Sequence, residues 1–266
     1  MNIGVFDSGF GGLTVLRALL EKLPGQDYVY LGDTARLPYG AKSQATVARY
    51  AVSSAGFLVD QGAEYLVIAC NTASALALDE IRAAVPVPVL GVIETGANAA
   101  QASTKSGDVL VIATAATVES HAYAAACKQR GMRAYEKACP LLVPLVEEGW
   151  IEHPVTEEVL RIYLDELLAE SARAGLRPDT LVLGCTHYPL LRAQIERKLP
   201  AGIRVIDSAD ATATQVAGAL GVPAPTGGPQ SERSFYATDS VEKFRKLGTR
   251  FLGQPIEYVQ LIDLGG

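Results

Sequence analysis

The sequence predicts an α/β protein built as two pseudo-symmetric lobes, each a mainly parallel sheet flanked by helices, with an active site in the cleft between them. Three observations predict it. Short runs rich in Val, Ile and Leu alternate with stretches whose apolar residues recur at helical spacing. The runs are apolar almost throughout, as strands covered on both faces of a parallel sheet are. One arrangement also occurs twice: VIACNTAS (Val67 to Ser74) and VLGCTHYP (Val182 to Pro189) each end an apolar run in a cysteine followed by hydrogen-bonding residues.

The first series opens with a strand at Ile3 to Phe6 and a helix from about Gly12, where Leu13, Leu16, Leu19 and Leu20 share a face. Tyr28 to Leu31 reads as the next strand. Ser43 is placed to cap a helix carrying Val47, Tyr50, Ala51, Ser54, Phe57 and Leu58. Leu66 to Ala69 follows as a strand, then a helix over about Ala73 to Ala84, then a strand at Val87 to Val92 between prolines. The second series has a strand at Val109 to Ala113, a helix from about Thr117 to Arg130, and a strand near Arg133 to Lys137. After Thr156 a helix carries Val159, Leu160, Tyr163, Leu164, Leu167 and Leu168 before Gly175, a C-cap candidate. Leu181 to Leu183 and Arg204 to Ile206 read as strands, and Thr226 to Ser231 as a loop rich in Gly and Pro. A strand near Phe235, a short helix near Val241 and a strand at Ile256 to Leu261 complete the series. The expected division is one lobe of residues 1–97 plus 208–266 and a second of residues 98–207.

Composition narrows the function. The 266 residues can bury a substantial core. With 23 basic and 29 acidic residues the net charge is −6, and no cluster of Lys and Arg tracks a phosphate backbone, which argues against direct nucleic-acid binding. No apolar run reaches the roughly 18 residues of a membrane helix, and no signal-peptide pattern opens the chain, so a soluble cytoplasmic protein is expected. Cys70, Cys127, Cys139 and Cys185 are too few and too dispersed for a disulfide framework, and without a CxxC a structural zinc site has little support.

The turns that end parallel strands are where ligands sit in open α/β sheets. Two lobes facing each other would therefore line a cleft with Asp7, Ser8, Cys70, Asn71, Thr114, Thr117, Cys185 and His187. DSGFGG (Asp7 to Gly12) lacks the Lys of a P-loop, and Thr14 stands where a dinucleotide fold needs its third glycine. It is left as a turn able to receive a small anion, with Asp7 free to hold an ammonium group or orient a base. Cys127 and Cys139 read as small buried apolar side chains, and His121 and His153 as surface or helix residues. Cys70 and Cys185 differ, because a strand-to-helix corner can lower a thiol pKa, and His187 stands two residues from Cys185 as a possible base. One of Glu147 and Glu148 could be held partly buried, and PYGAKS (Pro38 to Ser43) is a turn leading to a helix. Two thiols on opposed lobes fit proton removal from one face of a carbon and return to the other. Their ordinary pKa of about 8.5 suits general acid/base work.

FDSGFGG, PYG at Pro38 to Gly40, ACNTAS around Cys70, PLVEEG around Glu147 and GCTHYPLL around Cys185 together resemble cofactor-independent glutamate racemases, within the aspartate/glutamate racemase superfamily. The resemblance covers nearly the whole chain; the segment Thr114 to Ser120 matches more loosely. It implies a 1,1-proton transfer interconverting L- and D-glutamate, with Cys70 and Cys185 as the acid/base pair and no pyridoxal phosphate, other cofactor or metal. By position it implies that Asp7, His187 and Glu147 assist the thiols. Ser8, Tyr39, Gly40, Asn71, Thr72 and Thr186 then bind substrate, with Asp7, His187, Thr114 and Thr117 beside them. It further implies supply of D-glutamate to bacterial peptidoglycan and a homodimer. Rival readings are an aspartate or hydantoin racemase, a one-thiol decarboxylase, a cysteine hydrolase using Cys185 and His187, and a regulatory binding protein.

Overall fold

In the computed structural model, which describes residues 1–221 and 231–265, the strands form two all-parallel sheets. The first part of the chain gives β1 (Asn2–Asp7), α1 (Leu13–Lys22), β2 (Asp27–Gly32), α2 (Gln44–Asp60), β3 (Tyr65–Ile68), α3 (Asn71–Leu76), α4 (Leu78–Ala84) and β4 (Val89–Gly91). A crossover helix, α5 (Val92–Ser103), leads to β5 (Asp108–Ala113), α6 (Ala115–Glu119), α7 (Ala122–Gln129), β6 (Arg133–Ala138), α8 (Leu142–Glu147), α9 (Pro154–Arg173), β7 (Thr180–Gly184), α10 (Arg192–Lys198) and β8 (Arg204–Asp207). The chain returns through α11 (Ser208–Leu220) and ends with β9 (Arg233–Ala237), α12 (Val241–Leu252) and β10 (Gln260–Leu261).

The sheet orders are β10-β9-β2-β1-β3-β4 and β6-β5-β7-β8. The run β2-β1-β3-β4 in one is matched by β6-β5-β7-β8 in the other, so β1 corresponds to β5 and β3 to β7. In both sheets the strand order reverses between those two neighbours, which is where a crevice opens at the strands' carboxyl ends. Asp7 ends β1 and Cys70 follows β3; Thr114 follows β5 and Cys185 follows β7.

Burial explains the apolar runs. In β5, Val109 and Val111 face α5 and α7, while Leu110 and Ile112 face a core shared with Leu181 and Leu183 of β7 and with Val5, Leu13 and Leu16 of the first sheet. Phe6, Leu31, Leu66 and Ile68 pack on the opposite side against Val47, Ala51 and Leu58 of α2. The crossovers α5 and α11 pack on one another, and the Thr95 and Thr212 hydroxyls meet at 2.7 Å.

Several boundaries differ from the sequence reading. The helix expected over 73–84 is two, because Ala77 leaves helical geometry at φ −141° and serves both as the end of α3 and the start of α4. The helix expected from Thr117 starts at Ala115, since the Thr114 hydroxyl accepts from the Thr117 N–H, and it breaks where His121 turns left-handed at φ 54°. The strand expected over Val87 to Val92 covers Val89–Gly91, with Val92 already in α5; neither α5 nor α11 was legible as a helix. The expected strand Ile256 to Leu261 shrinks to Gln260–Leu261, because Ile256 and Val259 turn into the core instead of pairing. Ser43 caps α2 as expected, and Gly175, at φ 74°, follows α9. The expected loop from Thr226 lies outside the described residues except for Ser231.

Gly4 in β1 leaves no room for a side chain, since a Cβ there would stand 2.5 Å from Leu66 Cδ2 and 2.9 Å from Ala63 Cβ. Gly4→Ala is expected to lower stability by about 1–3 kcal/mol, the usual cost of overpacking; urea unfolding measures it.

Candidate active site

The carboxyl ends of β1, β3, β5 and β7 bring the two halves of the site together. Asp7 is held in place by its own turn, accepting from the Gly9 N–H at 2.8 Å, and it also accepts from the Thr186 hydroxyl at 3.5 Å across the cleft. Thr14 reaches over as well, its hydroxyl donating to the Gly11 carbonyl at 2.9 Å and lying 3.5 Å from the Thr186 carbonyl. A Cβ on Gly11 would collide with Thr186 Oγ1 and stand 2.7 Å from His187 Nδ1. The glycine of the DSGFGG turn is therefore what lets the second cysteine corner approach the first.

Cys70 is 5% exposed and caps α3: its sulfur accepts from the Ala73 N–H at 3.4 Å and donates to the Ser8 hydroxyl at 3.5 Å. Burial, reinforced by Asp7, pushes the Cys70 thiol up to about 12 despite the Ser8 and Ala73 contacts. The lowered thiol pKa expected from a strand-to-helix corner is thus not met at Cys70; loss of solvation outweighs one turn of helix. Burial also raises the Asp7 carboxyl, although the nearby His187 ring works in the other direction.

Cys185 is 6% exposed and leads into a four-residue 3₁₀ turn, Tyr188–Leu191, instead of a full α-helix. His187 Nδ1 lies 3.9 Å from its sulfur, His187 Nε2 lies 3.3 Å from Glu147 Oε1, and the Lys243 ammonium donates to Glu147 Oε2 at 2.9 Å. Burial opposes a charged imidazole, yet Cys185 and Glu147 outweigh it and push His187 up to about 10. Burial likewise opposes ionisation of Glu147, but His187 and Lys243 hold its carboxyl below the usual range. An upward shift of this kind is what pairing with the Cys185 sulfur and Glu147 produces, so the ring is placed to hold a proton, and positive charge, beside that sulfur.

The remaining expected residues divide. Thr72, Thr114 and Thr117 form a hydroxyl cluster across the cleft, with Oγ1 separations of 3.0 Å, 3.3 Å and 2.9 Å. Asn71 accepts from the Tyr123 hydroxyl at 2.7 Å, and its Nδ2, buried, has no partner among the described residues. Gly40 abuts Thr114, whose Cβ would lie 2.9 Å from an added Cβ. Tyr39 is not available as a hydroxyl donor to a ligand, because its OH is spent on the buried Asp33 carboxylate that Arg36 and Thr238 also hold. Among the described residues no group of three or more His, Cys, Asp or Glu is placed to hold a metal ion, and no helix is long and apolar enough to cross a membrane.

Comparison with known proteins bears directly on this arrangement. Residues 3–216 match the model of the family described as Asp/Glu/Hydantoin racemase. The chain belongs to that racemase family. A glutamate racemase of Koribacter versatilis is 52% identical over 99% of this chain and 98% of its own length. Among solved structures, glutamate racemase from Francisella tularensis in complex with D-glutamate superposes with a TM-score of 0.88 at 36% identity, covering 99% of this chain and 97% of that one. The Thermus thermophilus enzyme, in complex with β-chloro-D-alanine, gives a TM-score of 0.84 at 43% identity, covering 99% and 97%. The two-lobe α/β fold is thus that of solved glutamate racemases.

Three contributors to this racemase site escaped the sequence reading: Asp33, which anchors the Tyr39 loop; Lys243, which pairs with Glu147; and Tyr123, which holds Asn71. Lys243 and Tyr123 act through contacts between residues far apart in the chain, and Asp33 through a loop that the sequence reads only as a turn. Only Tyr123 left a local trace, as the one bulky residue in the alanine-rich stretch HAYAAAC.

The raised His187 pKa has a stability consequence. A group protonated more tightly in the folded state stabilises it fully below its unfolded pKa of 6.5 and loses that contribution as pH rises through about 10. Urea midpoints of the parent protein and His187→Gln should differ at pH 6 and converge toward pH 10.

Proposed function

We propose that this protein is a glutamate racemase that moves the α-proton of glutamate between the Cys70 and Cys185 sulfurs. The observation that carries the reading is the placement of one thiol after each of two corresponding strands, β3 and β7, in sheets of matching strand order. The relatives named above, one holding D-glutamate, support the substrate.

A thiolate on one side takes the α-proton, and a thiol on the other gives its proton to the opposite face, inverting the centre. The sulfurs then hold the proton states the reverse reaction needs. Cys185 beside the His187 cation and Cys70 beside Asp7 sit in fields of opposite sign, which favours the mixed pair of one ionised and one protonated sulfur. A substrate ammonium beside Asp7 would offset the burial that raises both Asp7 and Cys70. Glu147 keeps His187 charged. Ser8, Asn71, Thr72, Thr114, Thr117, Thr186 and the backbone at Tyr39 and Gly40 receive the carboxylates. Donors preorganised at the α-carboxylate, where charge develops, are worth roughly 3 to 4 kcal/mol each.

The lobes divide, in this reading, into residues 1–97 with 208–266 and residues 98–207. The protein works as a cytoplasmic homodimer supplying D-glutamate for peptidoglycan, without bound nucleic acid or membrane.

Incubation with L-glutamate and no added cofactor should yield the D-isomer, followed by circular dichroism. Cys70→Ser and Cys185→Ser should each lose about 10²- to 10⁴-fold in kcat, the range for removing a general acid/base group. Near-parent turnover in either variant contradicts the two-thiol assignment, and no D-isomer from the parent contradicts the racemase reading.

A further inference from the structure

Asn71 follows Cys70 directly, is 3% exposed, and has an amide whose two ends are treated very differently. Its Oδ1 accepts from the Tyr123 hydroxyl at 2.7 Å, while its buried Nδ2 has no partner among the described residues. Buried donors are almost always paired, so an unpaired one beside a reacting group points to a ligand acceptor.

Tyr123 comes from α7, in the opposite half of the molecule, and is completely buried. Its ring is caged by two glycines: a Cβ on Gly184 would lie 3.0 Å from Cε2, and one on Gly96 would lie 3.1 Å from both Cε1 and the hydroxyl oxygen. The phenol therefore has one position. Burial raises its pKa, with Cys127 and Cys185 adding to the effect and a Ser208 hydrogen bond opposing it, so the oxygen keeps its proton and has it to give to Asn71 Oδ1. Asn71 turned end over end would give up the bond to its carbonyl for one from its NH₂ to the phenol oxygen, and would leave the carbonyl unpaired.

We propose that Tyr123 is a positioning residue of the site: its hydroxyl holds the Asn71 carbonyl toward α7, leaving the NH₂ to meet a carboxylate oxygen of the amino-acid substrate. The inference rests on the reading of Asn71 as a substrate-binding residue. It assigns the second half of the molecule a part in shaping a donor that belongs to the first.

The test is a double-mutant cycle on kcat/KM for L-glutamate with Tyr123→Phe, Asn71→Ala and the double variant, with thermal midpoints recorded for each. Tyr123→Phe removes one oxygen and leaves the ring in its cage. It should lower kcat/KM about tenfold in the parent, the scale of a misdirected buried hydrogen bond, and by less than about twofold when Asn71 is already alanine. Gly96→Ala is the second variant: alanine favours the helix there but crowds the phenol, and it should show a smaller loss with the same dependence on Asn71. Losses of equal size in both Asn71 backgrounds, or unchanged kcat/KM in both Tyr123→Phe and Gly96→Ala, overturn the role of Tyr123 while leaving Asn71 in the site. Parent-like activity in Asn71→Ala overturns the reading of Asn71 and the inference with it.

Discussion

A side chain at Gly11 would occupy the space where Thr186 and His187 meet the first sheet, and the polar contacts across the cleft depend on that space being free. With it free, Asp7 can accept from Thr186, and Thr14 can lie against the Thr186 carbonyl. The rest of the fold supports this approach. Matching strand orders aim equivalent corners at each other, and α5 with α11, joined through Thr95 and Thr212, carries the chain over and back. The energetics are those of a buried polar interface, in which each donor and acceptor must be satisfied by a protein partner or by the ligand.

That interface is electrically lopsided. On the Cys70 side burial and Asp7 oppose ionisation of the sulfur, and on the Cys185 side a chain of Lys243, Glu147 and His187 delivers a cation to within 3.9 Å of the sulfur. Sequence symmetry between the two corners thus conceals an asymmetry of charge. A two-base proton transfer needs one group loaded and one empty, and fields of opposite sign supply that difference before substrate arrives. Between Glu147 and Cys185 the His187 ring is biased toward its charged form.

The α/β class, the parallel sheets and most strands were legible because strands buried on both faces leave apolar runs, as Val109 to Ala113 and Leu181 to Leu183 do. The crossovers α5 and α11 were not, since many of the positions they bury hold small residues, such as Ala97, Ala100 and Ala213, and not the Leu and Val that mark α1 and α9. The site read well where function and local pattern coincide: Cys70, Asn71, Thr72, Cys185, Thr186 and His187 lie in two short corners. It read poorly where a side chain works at a distance. Tyr39 looked like a ligand group, but its hydroxyl is taken by Asp33, and nothing near Lys243 or Tyr123 in the chain announces the partners they meet.

The central claim is that two different groups serve the two faces of one carbon. It is tested most directly by following L-glutamate in deuterated water by mass spectrometry during the early part of the reaction. The account predicts D-glutamate carrying one solvent deuterium at the α-carbon while the remaining L-glutamate keeps its protium, because the proton leaves on one sulfur and a deuteron arrives from the other. Deuterium entering recovered L-glutamate as fast as it enters the product, or a product that keeps the substrate's own proton, would contradict it and leave a single group acting on both faces.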